Sequence, residues 1–208
     1  MRTSPTASIE QGLRPGHRRE ATALFWEAFK GKLAPVMQPE ALALSFLESA
    51  VDPTHAISAV SEQGDLLGVA GFKTSSGGFI GGGMAQLCAA YGQVGGFWRG
   101  LVLSTLDRPV EAGSLLMDGI FVSAAARGQG VGTLLLAAVK RKARDLGATS
   151  VRLDVIDSNP RARALYEREG FVAQETSETG LFGHIFGFRS STRMSCKLQG
   201  PPMSVPDA

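Results

Sequence analysis

Arg127-Gly128-Gln129-Gly130-Val131-Gly132-Thr133 is the stretch that decides how this chain is read. Before it, residues 114–122 (SLLMDGIFV) form an apolar run of strand length. After it, Val131, Leu134, Leu135, Ala138 and Val139 recur at i, i+3, i+4, i+7 and i+8, the apolar stripe of an amphipathic helix over 131–146. The run is therefore a strand-to-helix turn. Its glycines let the backbone turn sharply and approach a ligand with no Cβ in the way. The first amides of a helix have no partner inside it, and the helix dipole favours negative charge there. Such a turn is a ready site for a pyrophosphate, and Arg127 adds a positive charge beside it. The glycines do not spell the dinucleotide pattern G-x-G-x-x-G, because Thr133 and Leu135 fill the later positions. Asp154 does sit near the spacing at which a dinucleotide fold places an acidic residue, so that reading keeps one point in its favour.

Working outward, residues 149–155 read as a further strand and 159–169 as a short helix. Asn159 followed by Pro160 is a good N-cap with proline at the first helical position. Residues 170–176 and 190–198 read as the last strands. Toward the N-terminus, 7–15 reads as a strand, and 17–30 and 40–50 as helices. The pair 56–60 and 66–74 reads as a hairpin through Glu62-Gln63-Gly64-Asp65. The glycine-rich 75–83 (SSGGFIGGG) reads as a mobile loop, without the Lys-Ser/Thr ending of a P-loop. Residues 84–106 are apolar over about the length of a membrane span, but they contain Arg99, Gln86 and Gln93. A buried or substrate-covering helix is the better reading. Alternating elements without internal repeats point to a mixed α/β domain.

Two patterns in this order resemble the GNAT superfamily of N-acetyltransferases. Arg127, Gly130 and Gly132 match its Arg/Gln-x-x-Gly-x-Gly/Ala turn. Asn159, Ala162, Tyr166, Gly170 and Phe171 match its second pattern, an Asn before a helix bearing Ala-x-x-x-Tyr and ending in Gly-Phe. The match covers about residues 114–172. The resemblance implies an acyl-CoA N-acyltransferase fold, a mostly antiparallel central sheet with one splayed parallel strand pair, flanked by helices. It implies one domain over 1–199, with 75–113 as a family-variable insertion and 200–208 as a disordered tail. It implies acetyl-CoA as cosubstrate. The backbone of Gly128, Gln129, Gly130, Val131, Gly132 and Thr133 would hold its pyrophosphate, Ile120, Phe121 and Val122 would pair with its pantetheine arm, and Asn159 would contact it. A bulge near Gly119 would splay the two parallel strands around the thioester. By resemblance, Tyr166 would protonate the leaving thiolate. A phenol of pKa about 10 can donate to a thiolate whose acid has pKa about 8.5. Read from the residues alone, Tyr166 is a buried aromatic on an apolar helix face.

The resemblance also implies direct attack of an amine on the thioester in a ternary complex, with a carboxylate or a water chain taking the amine's proton. Asp118 and Asp154 are the candidates. Asp118 alternates with Leu116, Ile120 and Val122 and should share their face, and Asp154 lies in the next strand. A carboxylate among apolar strand residues is costly unless paired, so each is a site candidate by environment or a structural ion pair, for example with Arg127 or Arg152. No metal is implied: His17, His55 and His184 are scattered. No Ser-His-Asp order is apparent.

Composition narrows the classes further. The chain has 208 residues, 44% hydrophobic and 19% charged, as expected of a globular protein. A net charge of +2 gives no argument for nucleic acid or membrane partners. Two cysteines, Cys88 and Cys196, suggest a reducing compartment, and residues 1–11 lack an apolar signal core, so a cytoplasmic protein is expected. Three functions stay open: acetylation of a small-molecule amine, acetylation of a protein N-terminus or lysine, and acyl-CoA binding without catalysis. The first is favoured over protein acetylation, and Tyr166 with two carboxylates favours an enzyme. Loop 31–39, the segment 75–113 and the aromatic-glycine run 181–188 are expected on the acceptor side, the last as a pocket wall or a homodimer contact.

Overall fold

The computed structural model describes residues 7–104, 108–178 and 187–198. Strand β1 (Ser8–Gln11) leads through a single 3-10 turn into helices α1 (Arg18–Met37) and α2 (Glu40–Ala50). Strands β2 (Ala56–Val60), β3 (Leu66–Thr74) and the short β4 (Gly77–Gly78) follow, then helices α3 (Met84–Tyr91) and α4 (Gln93–Ser104). The remainder alternates: β5 (Ser114–Val122), α5 (Val131–Asp145), β6 (Ser150–Ile156), α6 (Pro160–Arg168), β7 (Val172–Glu178) and β8 (Ser190–Lys197). The sheet order is β1-β2-β3-β5-β6-β8-β7, with β4 paired to β3. Among the described strands only β5 and β6 run parallel. This is the mixed α/β architecture with one parallel pair that the motifs imply. The tail 200–208 and residues 181–186 of the aromatic-glycine run lie outside the described residues.

Both faces of the sheet are covered. Leu135, Leu136 and Val139 of α5 are fully buried against Ile57, Phe72, Leu115 and Val151 on one face. On the other, Phe25 and Trp26 of α1 and Phe46 and Leu47 of α2 pack with Val69, Phe79 and Phe121. The β2–β3 turn closes with Ser61 N–H donating to Asp65 O (2.9 Å), and Gly64 sits at φ +93°, where a glycine is needed.

Three expectations for the acceptor side are corrected. Helix α1 does not stop at residue 30 but runs to Met37, so most of the loop expected at 31–39 is helix. Gly31 and Pro35 are local helix breakers. Burial of Val36 and Met37 outweighs them, and the Tyr91 hydroxyl donates to Met37 O at 2.7 Å. Residues 75–83 are not a free loop. They form a strap in which β4 pairs with β3, Phe79 is fully buried, and Gly81 N–H donates to Ala50 O (2.8 Å). A Cβ on Gly82 would lie 2.6 Å from that of Ala50 and 2.7 Å from the Phe46 ring, so the glycine serves close approach rather than mobility. The described part of the apolar run, 84–104, is two helices, reversing at Gly92 (φ +75°), and Val94, Phe97, Trp98 and Leu101 form an exposed stripe on α4. Among the described residues no helix is long and apolar enough to cross a membrane.

Candidate active site

The site begins with a counting mismatch in β5. Against β3, Gly71 opposes Gly119 and Phe72 opposes Met117, which leaves Asp118 as an extra, unopposed residue. Such a bulge bends and twists its strand. Against β6, β5 pairs only through Ser114, Leu115 and Leu116. From residue 117 onward the two parallel strands no longer pair, and among the described residues no strand pairs with the β6-facing backbone edge of β5. The bulge also corrects the expected alternation of Asp118 with Leu116, Ile120 and Val122. Leu115 and Met117 face the α5 layer, and past the extra residue Phe121 faces the α1 layer while Ile120 and Val122 pack toward α5. Gly119 is required for this: its Cβ would lie 3.0 Å from the Phe121 ring and 3.4 Å from the Phe29 ring.

The turn before α5 has the geometry of an anion cradle. Gly128 and Gly130 take φ +78° and +84°, and a Cβ on either would meet nothing within 4 Å. Gly130 is the N-cap and offers no side chain to the helix. The first amide bonded within the helix is that of Leu134, donating to Gly130 O (3.1 Å), so the amides of Val131, Gly132 and Thr133 point forward without helical acceptors. Arg127 Nε donates to Val122 O (3.2 Å) and Gln129 Nε2 to Ala125 O (2.6 Å), which ties the turn to the end of β5. These side chains hold the loop's shape. Gly132 is where α5 meets α6, its Cβ position 3.1 Å from Leu165. A chain that pairs with the open edge of β5 and ends in a diphosphate at α5 fits these groups, because amides and glycines are what each needs.

Helix α6 turns three expected residues onto one wall. Asn159, Ala162 and Tyr166, at i, i+3 and i+7, line a cavity of about 780 Å³ that also reaches Asp118, Asp154 and Ile120. Asn159 caps α6, its Oδ1 accepting from Ala162 N–H (3.1 Å). Tyr166 is 7% exposed and packs 5.9 Å from the Phe171 ring. Its hydroxyl makes no hydrogen bond among the described residues, and burial pushes its pKa up to about 12. It is therefore a protonated donor throughout the physiological range. Asp154 is ion-paired with Arg108, not with Arg127 or Arg152 as the alternatives had it, and Arg152 instead pairs with Glu111.

The far wall of the cavity was expected in sequence only as the segments 31–39 and 75–113, without named side chains. Phe25, Phe29 and Lys32 of α1, at i, i+4 and i+7, face inward. Phe25 and Phe29 lie 5.3 and 5.6 Å from Phe121. The spacing was visible, but 17–30 as the helix boundary left Lys32 outside it. Arg108 carried no local signal at all. One further constellation emerged nearby: His55 bonds Asp52 Oδ2 through Nδ1 (2.8 Å) and Thr74 Oγ1 through Nε2 (3.1 Å). It resembles a nucleophile relay, but a Cβ on Gly77 would lie 3.0 Å from its ring, so the strap closes over it and leaves no room for an acyl group. Its role is to pin the strap. Among the described residues no three His, Cys, Asp or Glu side chains are grouped as metal ligands.

Comparison with known proteins agrees with this geometry. Residues 19–171 match the model of the Acetyltransferase (GNAT) family. The fold is similar to that of a GCN5-related N-acetyltransferase from Kribbella flavida (18% identity over 92% of this chain and 98% of the other, TM-score 0.62). It is similar also to an N-acetyltransferase from Staphylococcus aureus Mu50 (16%, 91% and 100%, TM-score 0.63). A third similar structure is the ribosomal-protein-S18-alanine N-acetyltransferase from Escherichia coli (14%, 97% and 100%, TM-score 0.54). At these identities the likeness is one of fold. No curated protein sequence matches the chain.

Proposed function

This chain belongs to the GNAT acetyltransferase family, and from that premise we propose that it transfers an acetyl group from acetyl-CoA to the primary amine of a small molecule, by direct attack in a ternary complex. The observation that carries the reading is that the open edge of β5 and the Tyr166 side chain line one cavity, while the anion cradle lies in the turn that leads from the end of β5 into α5. The amides of 128–133 hold the pyrophosphate, with Arg127 shaping the turn. Ile120, Phe121 and Val122 offer backbone groups to the pantetheine amides. Asn159 caps α6 and faces the same cavity. The acetyl thioester reaches the gap between β5 and β6.

The amine nitrogen bonds to the acetyl carbon and the carbon–sulfur bond breaks. The amine's proton leaves toward a carboxylate, and the departing sulfur takes a hydrogen bond and then a proton from Tyr166. Of the two carboxylates, Asp154 is held by the Arg108 guanidinium, and protonating it would break that pair. Asp118 is taken as the base, directly or through water, on its position: it is the bulge residue where β5 parts from β6, and it lines the cavity. A small acceptor is supported by the apolar surface that α1, α2, the glycine strap and the α3–α4 pair present to the cavity. Tyr166 on the cavity wall supports catalysis over acyl-CoA binding alone. A cytoplasmic site of action accords with both cysteines being free.

The test is calorimetric titration with acetyl-CoA, with Gly130→Glu as control. That side chain meets no protein atom at its Cβ but places a carboxylate against the pyrophosphate. Saturable one-to-one binding, lost in the variant, is expected. A folded wild type that binds no acetyl-CoA refutes the proposal.

A further inference from the structure

We infer that the acceptor is an amine that also bears an anionic group on an apolar body, such as an amino acid with an aromatic side chain, and that Lys32 receives that anion. This rests on the acetyl-transfer reading above and narrows its acceptor.

Lys32 and Arg108 line the cavity, and among the described residues the carboxylates on its wall are Asp118 and Asp154. Asp154 is already ion-paired to Arg108. Lys32 is half-buried and, among the described residues, makes no ion pair. Its ammonium sits 5.5 Å from the centre of the Phe188 ring. Burial lowers its pKa from the ordinary lysine range, and the Arg108 charge adds to this while Asp154 opposes it. A partly desolvated ammonium with no ion pair among the described residues, near a guanidinium whose carboxylate is already engaged, is a place for negative charge. A ligand anion supplies it.

The rest of the cavity sets what the anion is attached to. Phe25, Phe29, Leu33, Met37 and Leu87 present ring and aliphatic surface, which favours an apolar body. Polyamines and aminoglycosides would bring further cations against the Lys32 ammonium. With its anion at Lys32 on the α1 wall, an acceptor can turn its amine toward the β5–β6 gap where Asp118 stands.

The experiment compares acceptors of one shape and different charge. CoA release is followed with L-phenylalanine, with phenethylamine, which lacks only the carboxylate, and with spermidine, for the wild type and Lys32→Met. Melting temperature and acetyl-CoA titration are recorded for both proteins. The expected result is a kcat/KM for L-phenylalanine at least about tenfold above that for phenethylamine. The preference should collapse in Lys32→Met through KM, with acetyl-CoA affinity retained. If neither amine turns over, 3-phenylpropanoate is titrated into the CoA-loaded protein. Saturable binding that Lys32→Met abolishes supports the anion site, and no binding overturns it. Phenethylamine or spermidine used as well as L-phenylalanine, or a preference untouched in a folded Lys32→Met, also overturns it. Failure to bind acetyl-CoA at all refutes the acetyl-transfer reading instead, so the two failures are told apart.

Discussion

Replacing Tyr166 by Phe should move stability and activity in opposite directions. The ring is buried, packs on Phe171 and would stay in place. The only atom lost is a hydroxyl oxygen that bonds to nothing among the described residues and borders the cavity. A buried hydroxyl without a partner costs about 1–3 kcal/mol. The cavity gives this one partial contact with water, so relief should lie between about 0 and 2 kcal/mol, a rise in Tm of roughly 0–8 °C for a chain of this size. Loss of a general acid should lower kcat by about 10²–10⁴-fold. Acetyl-CoA affinity should stay close to that of the wild type, because the amides at α5 and the edge of β5 are untouched. Thermal unfolding and a thiol-trapping assay for released CoA measure both sides. A variant that melts several degrees lower while turning over at the wild-type rate would refute the reasoning, because the hydroxyl would then be a structural bond and not a catalytic donor.

The two carboxylates should separate in the same assay. Asp118→Asn is expected to cost about 10²-fold or more in kcat and to remove the acidic limb of the pH–rate profile, whereas Asp154→Asn, which removes a carboxylate already paired with Arg108, should cost less and keep that limb. Equal losses would count against Asp118 as the base. Tyr166 also predicts an alkaline effect on folding. Its pKa in the fold is about 12, above the ordinary phenol value of about 10, so the unfolded chain loses this proton first. The stability tied to the neutral ring is complete below about pH 10 and disappears as pH rises toward 12. Urea titrations between these limits should show a steeper loss for the wild type than for Tyr166→Phe, and parallel curves would show that the tyrosine is not perturbed.

What could be read in advance was local. The α5 turn declared itself because glycine spacing, helix periodicity and unpaired amides all act within a few residues, and α6 because Asn159-Pro160 is both cap and first turn. What escaped depended on distant partners. Gly31 and Pro35 argue against helix, and only the burial of Val36 and Met37 carries α1 far enough to place Lys32 in the cavity. The run 75–83 reads as flexible because glycine permits flexibility, yet here it permits contact with Phe46 and Ala50. Arg108 is joined to Asp154 only by the fold. Asp118 was found as a residue, but its face was misjudged because a period of two holds only in a strand without a bulge.

That extra residue makes the opening a matter of length more than of composition. β5 counts one residue more than β3 between the pairs Gly71–Gly119 and Phe72–Met117, and the excess is what turns Phe121 to one side of the sheet after Met117 has gone to the other. The bulge is a matter of residue count, so substitutions other than at Gly119 leave it in place and a single deletion removes it. Side chains around the gap can change one at a time, and acceptors with them, while the gap persists. Removing one residue at 118 would leave Phe121 on its present layer, three positions from Met117, but would take out the bulge and let β5 continue along β6, converting the mouth of the cavity into ordinary sheet.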